Sequence, residues 1–288
     1  MMSRLDQLRQ RKSVKWRRFA EDVIPMHVAE MDFPLSPAIK KSLTEMIEND
    51  DLGYAYPLDE LGQSFSSFSE RHWGFSPNSE MVFPVTDVGV AGVELLRALV
   101  PGGGRVLVNS PIYASFRKWI SESKSQIIDA PLRLVENSWV LDLDQIEQRF
   151  KEGVDVYLLC SPHNPVGAVH SKEDLACIAD FAERYSVTVL ADEIHAPLTH
   201  SSARFIPFAS VSEQAREWAS QSPPARKVLT PPRREGWLDV IRIRGIEKSS
   251  NGKASNGSSL QNLHSWDCLN DCQLYRIRSM AWRDGCQN

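Results

Sequence analysis

Apolar and polar positions run in two alternating periods between about residue 35 and residue 215. Gly89 to Leu99 reads as an apolar helix. Arg105-Val-Leu-Val-Asn109, after the turn Pro101-Gly-Gly-Gly104, reads as a short strand. Val154-Asp-Val-Tyr-Leu-Leu-Cys160 has little polar alternation and predicts a strand covered on both faces. Ser171 and Asp174 are spaced to cap a helix that runs through Leu175, Ile178, Phe181 and Ala182 towards Tyr185. Val187-Thr-Val-Leu190 predicts the next strand. Strands and helices in this alternation predict repeated β-α units over a mostly parallel sheet, a three-layer α/β fold. In such a sheet the loops at the carboxyl ends of the strands converge on one crevice, so polar residues there are the candidates for chemistry.

The pattern dissolves past about Ala219 into Ser- and Pro-rich stretches and Ser249-Ser-Asn-Gly-Lys-Ala-Ser-Asn-Gly-Ser-Ser259, which predict an irregular tail. This boundary also divides the charge. Residues 219–288 carry eleven Lys and Arg against six Asp and Glu, so a tail of +5 sits beside a remainder of -9 within the net charge of -4. The basic residues form no face interleaved with aromatics, which argues against a nucleic-acid partner.

At 288 residues the chain can bury one large core or two smaller ones. No apolar run approaches the roughly 18 residues of a membrane span. Arg4, Arg9, Arg11, Lys12, Lys15, Arg17 and Arg18 precede no apolar segment, so a secretory signal is not expected. Five cysteines in a chain this long, with Cys160 and Cys177 in apolar stretches, fit buried thiols in a reducing compartment, and the expected location is cytoplasmic. His264, Cys268, Cys272 and Cys286 do not have a familiar zinc spacing, and no metal is expected.

Ala191-Asp192-Glu193-Ile194-His195 follows an apolar strand, which places the Asp192 carboxylate at a strand end facing the crevice. Such an acid suits a protonated ring nitrogen, and it equally suits a helix cap or an arginine partner. His195 beside it reads either as a core histidine satisfied by a backbone carbonyl or as a residue near a cofactor. Ser161-Pro-His-Asn-Pro-Val-Gly167 also follows a buried strand, and its prolines stiffen a loop that can present the Asn164 amide as a donor.

Taken together, Asn164-Pro-Val-Gly167 and, 28 residues after Asn164, Asp192-Glu-Ile-His195 resemble the paired loops of pyridoxal 5'-phosphate (PLP) dependent enzymes of the aminotransferase fold. The resemblance runs from about residue 11 to 218 and is to the carbon-sulfur lyase branch, the cystathionine β-lyase or cysteine-S-conjugate β-lyase type. Ile24-Pro-Met-His-Val-Ala-Glu-Met-Asp-Phe-Pro34, Gly53-Tyr54, Ser110-Pro-Ile-Tyr-Ala-Ser-Phe116 and Arg204-Phe-Ile-Pro-Phe208 resemble further stretches of that branch.

The resemblance implies a PLP-dependent transferase-like large domain at 46–218, an N-terminal arm at 1–45 and an unmatched tail at 219–288. It implies Asn164 on the cofactor's phenolic oxygen, Asp192 on its pyridine nitrogen, Tyr113 stacked on its ring and Tyr54 reaching the partner's site in a homodimer. Read without it, Tyr113 and Tyr54 are core or rim aromatics. It also implies a phosphate cup at Asp87-Val-Gly89-Val90, where backbone N–H groups at a helix start face an anion; the local pattern alone allows an ordinary glycine in a strand-helix turn.

The lysine that bonds the cofactor in this family, about thirty residues after the aspartate, is not recognisable. Lys227 lies near that distance in a Pro-rich context without a preceding strand, and Lys253 lies about thirty residues too late. No catalytic residue is therefore assigned. The abrupt loss of pattern suggests a reading-frame change. Shifted by one nucleotide, Trp266-Asp267 encodes Gly and Met280-Ala281 encodes Trp. Synonymous codons between them permit Val-Gly-Ile-Ala-Ser-Thr-Thr-Ala-Ser-Phe-Thr-Glu-Tyr-Gly-Ala-Trp-Leu, which resembles the family's C-terminal half.

The expected function is β-elimination from cystathionine or a related cysteine conjugate, giving a thiol, pyruvate and ammonia. The alternatives are an aminotransferase on the same fold and a truncated chain without catalysis. The expected partner is a small amino-acid substrate.

Overall fold

In a computed structural model of the chain, residues 5–53, 59–212, 227–230 and 239–242 are described. They all belong to one compact unit, Met1–Ile246; a second unit, Glu247–Asn288, lies outside the described residues.

The chain opens with two short helices, α1 (Leu5–Arg9) and α2 (Val14–Arg17). The basic residues of this arm fold back onto the segment that follows. Buried Lys15 donates to the Glu30 carbonyl at 2.6 Å and to the Asp32 carboxylate at 2.9 Å, and the Trp16 indole N–H donates to the same carboxylate at 3.1 Å. Arg11 donates to the carbonyls of Met31 and Phe33. Next come α3 (Pro37–Glu48), started by a proline in its first turn, and α4 (Asp59–Trp73). Helix α3 buries no residue, although Ile39, Leu43, Met46 and Ile47 lie along it.

A 3₁₀ turn (Ser79–Met81) leads into β1 (Val82–Pro84), α5 (Val88–Leu99), β2 (Arg105–Val108), α6 (Ala114–Glu122) and β3 (Gln126–Asp129). A small antiparallel pair, β4 (Arg133–Val135) and β5 (Ser138–Val140), stands apart from the main sheet. Then follow α7 (Leu143–Lys151), β6 (Val156–Cys160), α8 (Lys172–Arg184), β7 (Thr188–Asp192), β8 (Lys227–Thr230) and β9 (Asp239–Arg242).

The main sheet has seven strands in the order β1-β8-β9-β7-β6-β2-β3. Its pairs are parallel except at β9, which is antiparallel to both neighbours. Side chains alternate across this sheet with period two, and each parity finds its own cover. Leu107, Tyr157, Leu159, Val189 and Ala191 pack with Ile146 and Phe150 of α7 and with Leu175, Ile178 and Ala182 of α8. Val106, Val108, Val156, Leu158, Cys160 and Leu190 pack with Ala91, Leu95 and Leu96 of α5 and with Phe116, Trp119 and Ile120 of α6. The result is a three-layer α/β/α domain. Both faces of β6 and β7 are buried, and this is why their sequences read as continuous apolar runs.

Helix α8 starts where its cap was expected, with the Ser171 hydroxyl accepting the Asp174 N–H at 3.0 Å. The expectation of an irregular tail needs correction at eight residues, because β8 and β9 extend the sheet between β1 and β7. Val228, Val240 and Ile241 are β-branched and favour extended backbone, and pairing removes the open ladder edges that β1 and β7 would present to each other. No single-strand signal in the sequence reports a pairing that spans so many residues. Of the two cysteines expected to be buried, Cys160 is, whereas Cys177 is only half-buried.

Candidate functional site

Three neighbouring parallel strands, β7, β6 and β2, release their chains at the same edge of the sheet. Asp192 ends β7, the loop Ser161–Gly167 leaves β6, and Ser110–Tyr113 connects β2 to α6. Cys160 and Asp192 are the last paired positions of the β6–β7 ladder, so the Asn164 loop and the acid emerge side by side. Asp192 shares the parity of Leu190 and therefore belongs to the α5/α6 side, the side on which Tyr113 opens α6.

Asp192 is buried and its Oδ1 accepts the Ile194 N–H at 3.2 Å, while its own carbonyl accepts the Ser161 N–H at 2.9 Å. The neighbouring Glu193 is also buried and accepts the Phe208 N–H at 2.6 Å, tying the Arg204–Phe208 segment to the strand end. Glu193 is not among the candidates legible in the sequence; the signal for it is a second acid next to Asp192 at a buried strand end.

The Asn164 loop is a closed turn. Gly167 N–H donates to the His163 carbonyl at 2.7 Å, His163 N–H donates to the Ala168 carbonyl at 2.8 Å, and Gly167 has φ of 71°, which suits glycine. The Asn164 N–H points back at the Cys160 sulfur, 3.4 Å away. The Asn164 carboxamide has no hydrogen-bond partner among the described residues, so its donors are available to a ligand. Burial, helped by the charge of Asp192, pushes the Cys160 thiol up to about 12 and keeps it a neutral acceptor.

Tyr113 precedes α6 with its ring half exposed, 40% by area. Two edge-to-face contacts prop it, with Phe116 at 5.9 Å and Trp119 at 6.2 Å between ring centroids. Upstream, Ser110 is clamped by Asp129, whose two carboxylate oxygens take its N–H at 3.0 Å and its hydroxyl at 2.6 Å.

At the start of α5, the Gly89 and Val90 N–H groups, which the sequence reading turns towards an anion, both donate to the Asp87 carboxylate, at 2.7 and 3.3 Å. Asp87 is thus the N-cap of α5. The signal for it was in the sequence, an acid immediately before an apolar helix. Trp119 lies against this turn and the next: a side chain added at Gly89 would meet its indole nitrogen at 3.1 Å, and one added at Gly92 would meet its ring at 2.6 Å.

His195 is partly buried, and the described residues offer its ring no hydrogen bond; burial alone lowers its pKa. Tyr54 lies outside the described residues, as do His264, Cys268, Cys272, Cys286 and Lys253. Lys227 opens β8. Val228 beside it pairs with Ile241, which pairs with Asp192, so the Lys227 backbone lies two strands from β7, one residue from the level of Asp192.

A seven-stranded, mainly parallel sheet with an acid, an amide loop and a half-open aromatic at adjacent strand ends is the PLP-dependent transferase-like α/β fold. Residues 21–223 match the family of class I and II aminotransferases, and this chain belongs to that family. Its relatives include a Mycobacterium tuberculosis protein named "Putative cystathionine beta-lyase", 40% identical over 228 residues. That match covers 76% of this chain and 55% of the relative. The cystathionine beta-lyase of Corynebacterium glutamicum is 35% identical over 212 residues, 73% of this chain and 55% of that protein. Among solved structures, a "putative plp-dependent beta-cystathionase" from Corynebacterium diphtheriae superposes with a TM-score of 0.71 at 29% identity. It covers 84% of this chain and 62% of that one. The chain thus spans about half the length of the curated relatives it matches. Among the described residues, no helix is long and apolar enough to cross a membrane.

Proposed function

We propose that this chain carries the cofactor-binding half of a PLP-dependent carbon-sulfur β-lyase acting on L-cystathionine or related cysteine S-conjugates. The observation that carries the reading is the convergence of Asp192, Asn164 and Tyr113 at the ends of three adjacent parallel strands. The names of the relatives favour a lyase over an aminotransferase.

The donor set fits PLP. A buried carboxylate at Asp192 can hold the proton on a pyridine nitrogen, the Asn164 amide can donate to a phenolic oxygen, and the Tyr113 ring can cover one face of the heterocycle. The Gly89 and Val90 N–H groups can take a phosphate oxygen in place of Asp87. When bound, PLP supplies an electron sink for breaking the Cα–H and Cβ–S bonds of an amino acid. Asp192 sustains that sink by keeping the ring nitrogen charged, and Asn164 and Tyr113 fix the ring against rotation and slippage.

The lysine that would move the Cα proton is unassigned, so turnover is attributed to the longer family protein. In the same reading that protein is a cytoplasmic homodimer in which Tyr54 serves the partner's site, and residues 219–288 arise from a shifted reading frame. Sequencing the gene tests the last point: an intact frame with no family match in either alternative frame overturns it.

Titrating the purified full chain with PLP tests the site. The expected result is reversible binding that borohydride does not fix, weakened about tenfold or more by Asp192→Asn, with no pyruvate formed from cystathionine. Absence of binding overturns the proposal.

A further inference from the structure

We propose that His163 is the positioning residue that sets the distance between the Asn164 loop and the Tyr113 loop, holding both at the spacing a bound PLP ring requires. The inference rests on the cofactor reading above and assigns a role to a residue which that reading leaves unused.

His163 lies next to Asn164 in sequence and is only 2% exposed. Its Nε2 stands 3.0 Å from the carbonyl oxygen of Pro111, two residues before Tyr113. A carbonyl can only accept, so Nε2 carries the hydrogen and the ring is the Nε2–H tautomer. Among the described residues this is the side-chain hydrogen bond that joins the two loops directly. Other anchors of each loop run elsewhere: Ser110 is held by Asp129 of β3 and by the Leu132 N–H, and the Asn164 loop is held by its own backbone, by Cys160 and, at Ser161, by the Asp192 carbonyl.

The other ring nitrogen shows that packing alone does not account for the residue. Nδ1 is buried and has no hydrogen-bond partner among the described residues, a cost that a phenylalanine or leucine of similar volume would not incur. The bond from Nε2 to the Pro111 carbonyl is therefore the polar contact that distinguishes this imidazole from an apolar ring. Burial lowers its pKa and so favours the neutral ring. His170 packs edge-on against it, with ring centroids 5.8 Å apart, and uses its own Nε2 on the Cys160 carbonyl at 3.0 Å, so a second anchored ring borders His163.

The full chain and its His163→Phe, His163→Ala and His163→Gln variants are compared in two measurements: deuterium uptake of residues 110–118 without ligand, and PLP affinity by titration. Losing one buried hydrogen bond is expected to speed exchange of that segment and to weaken PLP binding, each about tenfold, in the Phe and Ala variants. The β7 segment 188–192 serves as the unchanged reference. His163→Gln, which keeps an N–H donor at a similar reach, is expected to stay within about threefold of the parent. PLP binding by the parent with the same exchange and affinity in all three variants overturns the role of His163 and leaves the cofactor reading standing. A parent chain that takes up no PLP overturns the cofactor reading, and the purpose given to His163 falls with it.

Discussion

The Asp87 carboxylate holds the Gly89 N–H at 2.7 Å, so the first turn of α5 already carries its own anion. A phosphate at this turn must compete with it. Asp87→Asn keeps a capping oxygen and removes the charge, and inorganic phosphate or PLP is expected to bind several-fold tighter to that variant. Asp87→Ala removes the cap and should lower stability by about 1 kcal/mol in a denaturant melt. Unchanged anion affinity in the Asn variant would place the phosphate elsewhere.

Cys160 illustrates how burial silences a reactive group. With its thiol pushed up to about 12 by burial and by Asp192, the thiolate fraction at pH 8 is about one in ten thousand. Alkylation at pH 8 followed by peptide mapping should leave Cys160 unmodified in the folded chain and modify it fully in denaturant. Rapid labelling of the native chain at this position would show that the β6 end opens to solvent.

The contact between α5 and α6 at Gly92 and Trp119 has no spare room. Gly92→Ala puts a methyl group 2.6 Å from the Trp119 ring and is expected to cost about 1–3 kcal/mol. Because Trp119 also props Tyr113, PLP affinity should fall along with stability. Adding Trp119→Leu should recover part of the loss in a double-mutant cycle, whereas simple additivity would refute the clash.

His170 is held neutral, its pKa lowered to about 4, first by burial and then by His163. An unfolded histidine titrates near 6.5, so the unfolded chain takes up the proton first. The stability due to the neutral ring is complete above about pH 6.5 and is lost as pH falls towards about 4, by roughly 3 kcal/mol at most. Denaturant midpoints across that window should fall less steeply for His170→Gln, which keeps a donor for the Cys160 carbonyl. Parallel slopes for the two chains would show that other groups set the acid limit.

What was legible in the sequence follows the reach of each signal. The helix predicted from Gly89 runs Val88–Leu99 and the strand predicted over Val154–Cys160 runs Val156–Cys160, because a sustained apolar run is read without knowledge of its neighbours; the strand is buried throughout, whereas the helix buries one face, Ala91, Gly92, Leu95 and Leu96. Ser171 caps α8 as its spacing requires, a local geometry. By contrast β4 is fully exposed along Arg133–Val135 and gives no burial pattern to read. The strands at 227–230 and 239–242 pair with each other, but their places in the sheet are set by β1 and β7, which are far from β8 and β9 respectively in sequence. Asp192 and Asn164 could be singled out as strand-end residues, but the contacts that brace the surrounding loops, Glu193 on Phe208, His163 on Pro111 and Trp119 on Tyr113, run across loops and no spacing encodes them.

The five-residue ladder between Val156–Cys160 and Thr188–Asp192 also fixes a measurement. Alternation means that a slip of one position would turn Asp192 towards the α7/α8 layer and present Ala191 in its place. The same slip would move the Asn164 turn by one strand rise, about 3.3 Å, relative to the acid. Grafting this site onto another sheet would therefore require transplanting both strands with their frame of pairing, since the two loops alone carry the chemical groups but not the ruler that spaces them.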